Sequence, residues 1–167
     1  MTPIKSHDNP LFIMELFVST FTNKIDKKGR VSLPSLFRSA LPKNYKNEII
    51  LLKSLKNKSI EGLSVIRVKE IASRINNLDF FSEEHDDFTT SIFSEMLPTI
   101  LDKEGRFLLP EKLKVFADIK TEVTFIGLGH FFQIVNPDTA FDLQNKSRVR
   151  LNLNKKTLGK ILRGSDE

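Results

Sequence analysis

Residues 26–34 read D-K-K-G-R-V-S-L-P and residues 102–110 read D-K-E-G-R-F-L-L-P. Six of the nine positions are identical, and similarity of this kind within one chain marks a duplicated structural unit. The likeness extends outward. Ile25 and Leu101 precede the aspartates, and Phe37-Arg38 and Leu113-Lys114 follow the prolines at equal distance. Further on, the stretch E-I-I-L-L from Glu48 matches E-V-T-F-I from Glu122 with a two-residue shift, as a change in loop length between equivalent units would produce.

Each unit therefore reads as strand, turn, strand, helix, strand, an α+β arrangement that is mainly β. The turn rests on Asp26 and Asp102, whose carboxylates can bond nearby backbone groups, and on Gly29 and Gly105, which tolerate positive φ. Phe17 to Ile25 alternates as a strand before the first turn, while Val31 to Leu33 and Phe107 to Leu109 supply β-formers after each turn. Pro34 and Pro110 fit the first turn of a helix. Leu33, Leu36, Phe37, Ala40 and Leu41, and in the second copy Leu109, Leu113, Phe116 and Ala117, recur at helical spacing and predict one buried face per helix.

Between the units, Ile71, Ile75 and Leu78, then Phe88, Ile92, Phe93 and Met96, are spaced for two amphipathic linking helices. The acidic run Glu83 to Asp87 between them fits a solvated first helical turn better than a catalytic carboxylate pair. After the second unit, Lys146 to Arg163 holds seven Lys or Arg and no acidic residue, with Val149, Leu151 and Leu153 alternating before Leu158, Ile161 and Leu162. Two readings of this tail stand side by side: a disordered nucleic-acid arm, or an ordinary solvated terminal segment that docks its leucines on a neighbour.

In a chain of 167 residues, 26 Lys and Arg against 21 Asp and Glu give a net charge of +5, which suits a polyanionic partner. There is no cysteine, so disulfides and thiolate metal sites are excluded. No apolar run approaches bilayer length, and the first ten residues lack a secretory apolar core, so a cytoplasmic protein without a membrane partner is expected. Fourteen Phe with one Tyr and no Trp point to aromatics that fill cores.

A duplicated D-K-x-G-R-x-x-L-P, followed by a Phe37-Arg38 or Leu113-Lys114 helix, resembles the MraZ family, with coverage from about Glu15 to about Phe141. The first copy follows the pattern through P-x-x-F-R-x-x-L from Pro34 to Leu41. In the second, Lys114 and Asp118 stand where the family usually has Arg and Gly, and Val135 where a Trp commonly closes the last strand. The family normally starts with Met-Phe shortly before its first strand. Met14 to Phe17 thus looks like the start of the domain, with residues 1–13 either an extension or the result of a start codon placed too early. The resemblance implies two tandem AbrB-like swapped-hairpin half-barrels, a double-split β-barrel, with short linking helices. It implies, further, ring-like homo-oligomers that bind short direct repeats in double-stranded DNA ahead of the division and cell-wall gene cluster and repress it. The expected division is an extension at 1–13, repeats at 20–69 and 96–139, a helical linker at 70–95 and a basic tail at 144–167.

Lys27, Lys28 and Arg30 around one tight turn, with Lys24 nearby, project cations from a rigid hairpin suited to a major groove or its phosphates. The planar fork of Arg30 suits a guanine edge, whereas the lysines Lys24, Lys27, Lys28 and Lys103 suit phosphates. Arg106 repeats the role of Arg30 in a weaker copy, where Glu104 offsets one charge. Asp26 and Asp102 would repel phosphate, so they are expected to brace the turns with Gly29 and Gly105. The structural alternative is that each Asp and Arg pair only to hold the turn.

Catalysis is not expected: His7, His85 and His130 are scattered, there is no metal-ligand spacing or cofactor motif, and G-L-G at Gly127 precedes a β-like stretch, so it reads as a turn. The competing class is a protein-interaction module, antitoxin-type or adaptor, without specific DNA binding. Cations on both loops favour the nucleoid-associated regulator, since an adaptor would present apolar anchors there.

Overall fold

A computed structural model describes residues 16–164. The expected extension, residues 1–13, and the Met14-Glu15 start lie outside the described residues, as do the last three residues of the tail. The chain is α+β. Its first half gives β1 (Thr20–Lys24), β2 (Arg30–Ser32), α1 (Ser35–Ala40), β3 (Glu48–Lys53), β4 (Ile60–Leu63), α2 (Val65–Ile75) and α3 (Glu83–Ile92). Its second half gives β5 (Leu97–Ile100), β6 (Arg106–Leu108), α4 (Glu111–Phe116), β7 (Glu122–Gly127), β8 (Phe132–Val135), α5 (Pro137–Leu153) and α6 (Leu158–Leu162).

Six strands form one antiparallel sheet in the order β1-β7-β8-β4-β3-β5, and β2 pairs with β6 in a separate two-stranded ribbon. The order reads the same when the two halves are exchanged. The first strand of each half pairs with the third strand of the other, so that β1 lies on β7 and β5 on β3. At the middle of the ribbon Val31 faces Phe107, and at the middle of the β4–β8 pair Glu61 faces Gln133.

One hydrophobic core results, shared by both halves: Val31, Leu33 and Phe37 from the first pack in the same cluster as Phe107, Leu109 and Leu113 from the second. Phe37 lies in edge or tilted contact with Phe17, Phe21, Phe125 and Phe132, ring centroids 5.2 to 6.1 Å apart, the geometry that aromatic quadrupoles favour. These phenylalanines serve packing, as composition suggests, whereas Phe80, Phe81 and Phe141 are exposed. The helical faces expected for α1 and α4 are buried at Phe37, Ala40 and Leu113, while Leu36 is exposed.

Several elements differ from expectation. The first strand is shorter than Phe17 to Ile25, because Ser19 takes a left-handed φ of 75° and interrupts it, leaving Phe17 in an isolated bridge to Gly129. Pro34 and Pro110 cap α1 and α4 instead of lying inside the first turn; their ring-fixed φ of −52° and −60° sets up helices that begin one residue later. Each unit carries a fourth strand, β4 or β8. α2 starts at Val65, capped by Ser64, well before the expected linker. The acidic run forms the first turn of α3, capped by Ser82.

The tail is helical and not a disordered arm. Asn136 caps α5 through the backbone N–H of Asp138, Pro137 follows at the first position, and Leu, Gln, Lys and Arg propagate the helix; the alternating Val149, Leu151 and Leu153 meet no strand partner. Its start is held by Ala140 and Leu143 against Ile126 and the fully buried Val135. Asp118 adopts φ 52°, a conformation that Asp tolerates better than most residues; its carbonyl accepts from the Asn136 amide.

Gly62 faces Phe132 across the β4–β8 pair, and a Cβ at position 62 would lie 2.1 Å from that ring. The ring is packed by other aromatics and cannot swing away. Gly62→Ala is therefore expected to lower unfolding stability by about 1–3 kcal/mol in urea titration, and adding Phe132→Leu is expected to recover part of that loss.

Candidate nucleic-acid interface

The two loops are built alike, bond for bond. In the first, the Asp26 N–H donates to the Arg30 carbonyl at 2.9 Å and the Gly29 N–H to the Asp26 carbonyl at 3.0 Å. Oδ1 of Asp26 accepts the backbone N–H groups of Lys28 and Arg30, both at 2.9 Å, while Oδ2 accepts Nε of Arg30 at 2.8 Å. In the second, Oδ1 of Asp102 accepts the N–H groups of Glu104 and Arg106 at 2.9 Å, and Oδ2 accepts Nε of Arg106 at 3.0 Å. Gly29 and Gly105 close the turns at φ 82° and 75°, where a side chain would be strained.

Each loop is also fastened to the other half of the chain. The Gly29 carbonyl accepts from the Leu109 N–H and the Gly105 carbonyl from the Leu33 N–H, extending the β2–β6 ribbon at both ends. Within the ribbon Val31 and Phe107 point into the core. Alternation then puts Arg30, Ser32, Arg106 and Leu108 together on the opposite face, which is partly or fully exposed. Arg30 lies across from Leu108 and Arg106 across from Ser32, so the arginines are offset by roughly 7 Å along the ribbon.

The structure thus brings Arg30 and Arg106 onto one surface and places Lys27, Lys28 and Lys103 on the exposed loops at its ends. Lys24 stands apart on β1, opposite Glu122 of β7. Asp and Arg do pair across each turn, as the structural alternative holds, but the pair occupies only Nε. Among the described residues Nη1 and Nη2 of Arg30 have no hydrogen-bond partner, whereas Nη2 of Arg106 is taken by Glu104. The first loop offers an open guanidinium fork and the second a largely satisfied one.

Arg38 is a further residue of this site that the sequence reading left out. From α1 it crosses to the second loop, donating Nη1 to the Glu104 carbonyl at 2.8 Å, and a Cβ at position 105 would overlap its guanidinium at 1.8 Å. Lys114, its counterpart on α4, instead pairs with Glu111 on its own helix. The signal was present in the Arg-for-Lys difference between copies, because a planar fork reaches a carbonyl in a fixed direction better than a flexible ammonium.

No helix among the described residues is long and apolar enough to cross a membrane, and these residues hold no cluster of His, Asp and Glu fit to bind a metal.

The sequence matches no protein-family model. It does have close relatives. The transcriptional regulator MraZ of Pelagibacter ubique is 42% identical over 143 residues, spanning 86% of this chain and 92% of that protein. The transcriptional regulator MraZ of Gluconobacter oxydans is 39% identical over 140 residues, 82% and 85% of the two chains. The protein of that name from Rickettsia bellii is 41% identical over 130 residues, 77% and 87%. The chain belongs to the MraZ family. The resemblance drawn from the duplicated motif is borne out, and in this MraZ-family chain the motif is the pair of loops that flank the ribbon.

Hydrogen bonds from the Arg30 backbone, then its side chain and the Lys28 backbone, hold the Asp26 carboxyl below its ordinary value of 3.8, and Arg106 and Glu104 do the same for Asp102. A depressed folded-state value means that the loops' contribution to stability is complete well above 3.8 and is lost as the pH falls below it. Carbon-detected NMR titration is expected to give both carboxyls midpoints under 3.8; a midpoint at or above that value contradicts this arrangement.

Proposed function

We propose that this protein is a sequence-specific DNA-binding transcriptional regulator whose ribbon and first loop read the major groove. The observation that carries the reading is the open fork of Arg30, held at Nε by Asp26 on a ribbon face it shares with Arg106. A two-stranded ribbon fits the major groove, where a guanidinium can donate two hydrogen bonds to the O6 and N7 edge of guanine. Lys27, Lys28 and Lys103 neutralise flanking phosphates, with Lys24 further out, while Asp26, Gly29, Asp102 and Gly105 keep the loops in shape. Arg106, engaged by Glu104, makes the weaker contribution.

The exchanged strand pairing supports reading the repeats, 20–69 and 96–139, as AbrB-like swapped-hairpin half-barrels joined by the helical linker 70–95 and followed by the basic tail 144–167. One ribbon spans too few base pairs to find an operator in a genome, so several chains acting together in a ring on direct repeats would supply specificity. Repression of the division and cell-wall gene cluster from its own promoter, in the cytoplasm and associated with the nucleoid, is the role this reading assigns. It assigns no catalytic step and no cofactor.

Band-shift titration on the upstream promoter duplex against a scrambled duplex tests it. Arg30→Ala is expected to cost about 1–3 kcal/mol on the promoter and far less on the scrambled DNA. Lys27→Ala is expected to weaken both alike, with a shallower salt dependence. Equal binding of the wild type to both duplexes would overturn the regulator and leave the adaptor reading in its place.

A further inference from the structure

Two exposed surfaces of opposite character remain outside the ribbon. The first is the segment Asp79–Asp87, with five acidic residues and no Lys or Arg. At its start Phe80 is 69% and Phe81 90% exposed, with ring centroids 5.3 Å apart at right angles and Phe80 in tilted contact with His85. An adjacent pair of exposed phenylalanines, in a chain whose other aromatics mostly fill the core, points to a surface that is covered in use.

The second surface is the end of α5 with α6. Together with the β7–β8 turn it frames an open groove of about 1020 Å³, lined on its apolar side by Leu128, Phe141, Leu151, Leu158 and Ile161. Arg148, Arg150 and Lys156 stand among them. Leu153 and Leu162 add further exposed aliphatic surface. A nucleic-acid arm has no use for so many exposed leucines, whereas a protein partner with aromatic anchors and negative charge meets both features. Within one chain α5 packs on β7, and α3 packs on α2 and the turn after α3, so the two surfaces belong to separate parts of the fold.

We propose that the acidic aromatic segment of one copy docks in the basic apolar groove of a second copy, with Phe80 and Phe81 as anchors and Glu83, Glu84, Asp86 and Asp87 facing the tail's cations. Because the two surfaces differ, the contact is head-to-tail, the kind that closes a ring when the rotation between copies permits. The inference rests on the oligomeric reading given above and names its interface. Aromatic anchors supply the binding energy and opposite charge the register.

The test measures the mass of the full chain by light scattering across a dilution series, in parallel with promoter binding. Phe80→Ala with Phe81→Ala is expected to raise the half-assembly concentration by about tenfold or more, with an unchanged circular dichroism spectrum because both rings are exposed. Glu83→Lys with Glu84→Lys is expected to act likewise, and Arg150→Glu with Lys156→Glu in the same chain to restore assembly. Since the chain has no cysteine, a mixture of Glu84→Cys and Lys156→Cys chains is expected to give a disulfide-linked heterodimer on oxidation, a readout that needs neither phenylalanine removed. A wild type that is monomeric throughout overturns the ring reading and this inference with it. An assembly indifferent to all these changes, with no cross-link, overturns the inference and leaves the ring standing. Tail reversals that weaken DNA binding at constant mass would make the tail a nucleic-acid arm and overturn it too.

Discussion

The pairing of β2 with β6 is the constraint on which the rest of the structure depends. Three residues from each repeat form the ribbon, and the amides of Leu33 and Leu109 lengthen it by bonding to Gly105 and Gly29 in the opposite loop. One face, Val31 and Phe107, enters the common core; the other presents Arg30 and Arg106. Neither loop could hold its position without the other repeat, because the strand that leads into each loop is paired with the partner repeat's third strand. Stability and the disposition of the cations therefore come from the same hydrogen bonds.

Duplication also explains the difference between the loops. Once a ribbon has two ends, each can diverge while the frame stays symmetric, and three of the differences between the copies act at the loops and the ribbon face. Glu104 in place of Lys28 takes up Arg106; Arg38, where the other repeat has Lys114, reaches across to the Glu104 carbonyl; and Leu108 replaces Ser32 on the outer face. The second loop has become the better anchored of the two and the first the more open to a ligand.

Much of this was legible in the sequence where a residue's requirement is local. The paired Asp and Gly identify the loops, since few residues bond backbone two and four positions on or accept a positive φ; the helical spacing of Phe37 and Leu113 identifies the buried faces. The exchange of strands could not be read from the residues themselves, because apolar alternation says that a strand is half-buried and not which strand lies beside it. Ser19 cuts the first strand short through a backbone turn that no residue type demands. A β-like alternation at Val149, Leu151 and Leu153 hides the helical tail, whose cap, Asn136-Pro137, lies well before those residues. Arg38 was in view as part of a helix motif, and only the fold reveals that it reaches the other repeat's loop.

Hydrogen–deuterium exchange of the full chain with and without its upstream promoter duplex tests whether the ribbon and its first loop form the DNA-reading surface. Slowed exchange is expected to concentrate at residues 27–32, with weaker slowing at 103–108 and little change in α2 and α3. Protection confined to the tail, or an unchanged ribbon at saturating promoter DNA, would contradict it.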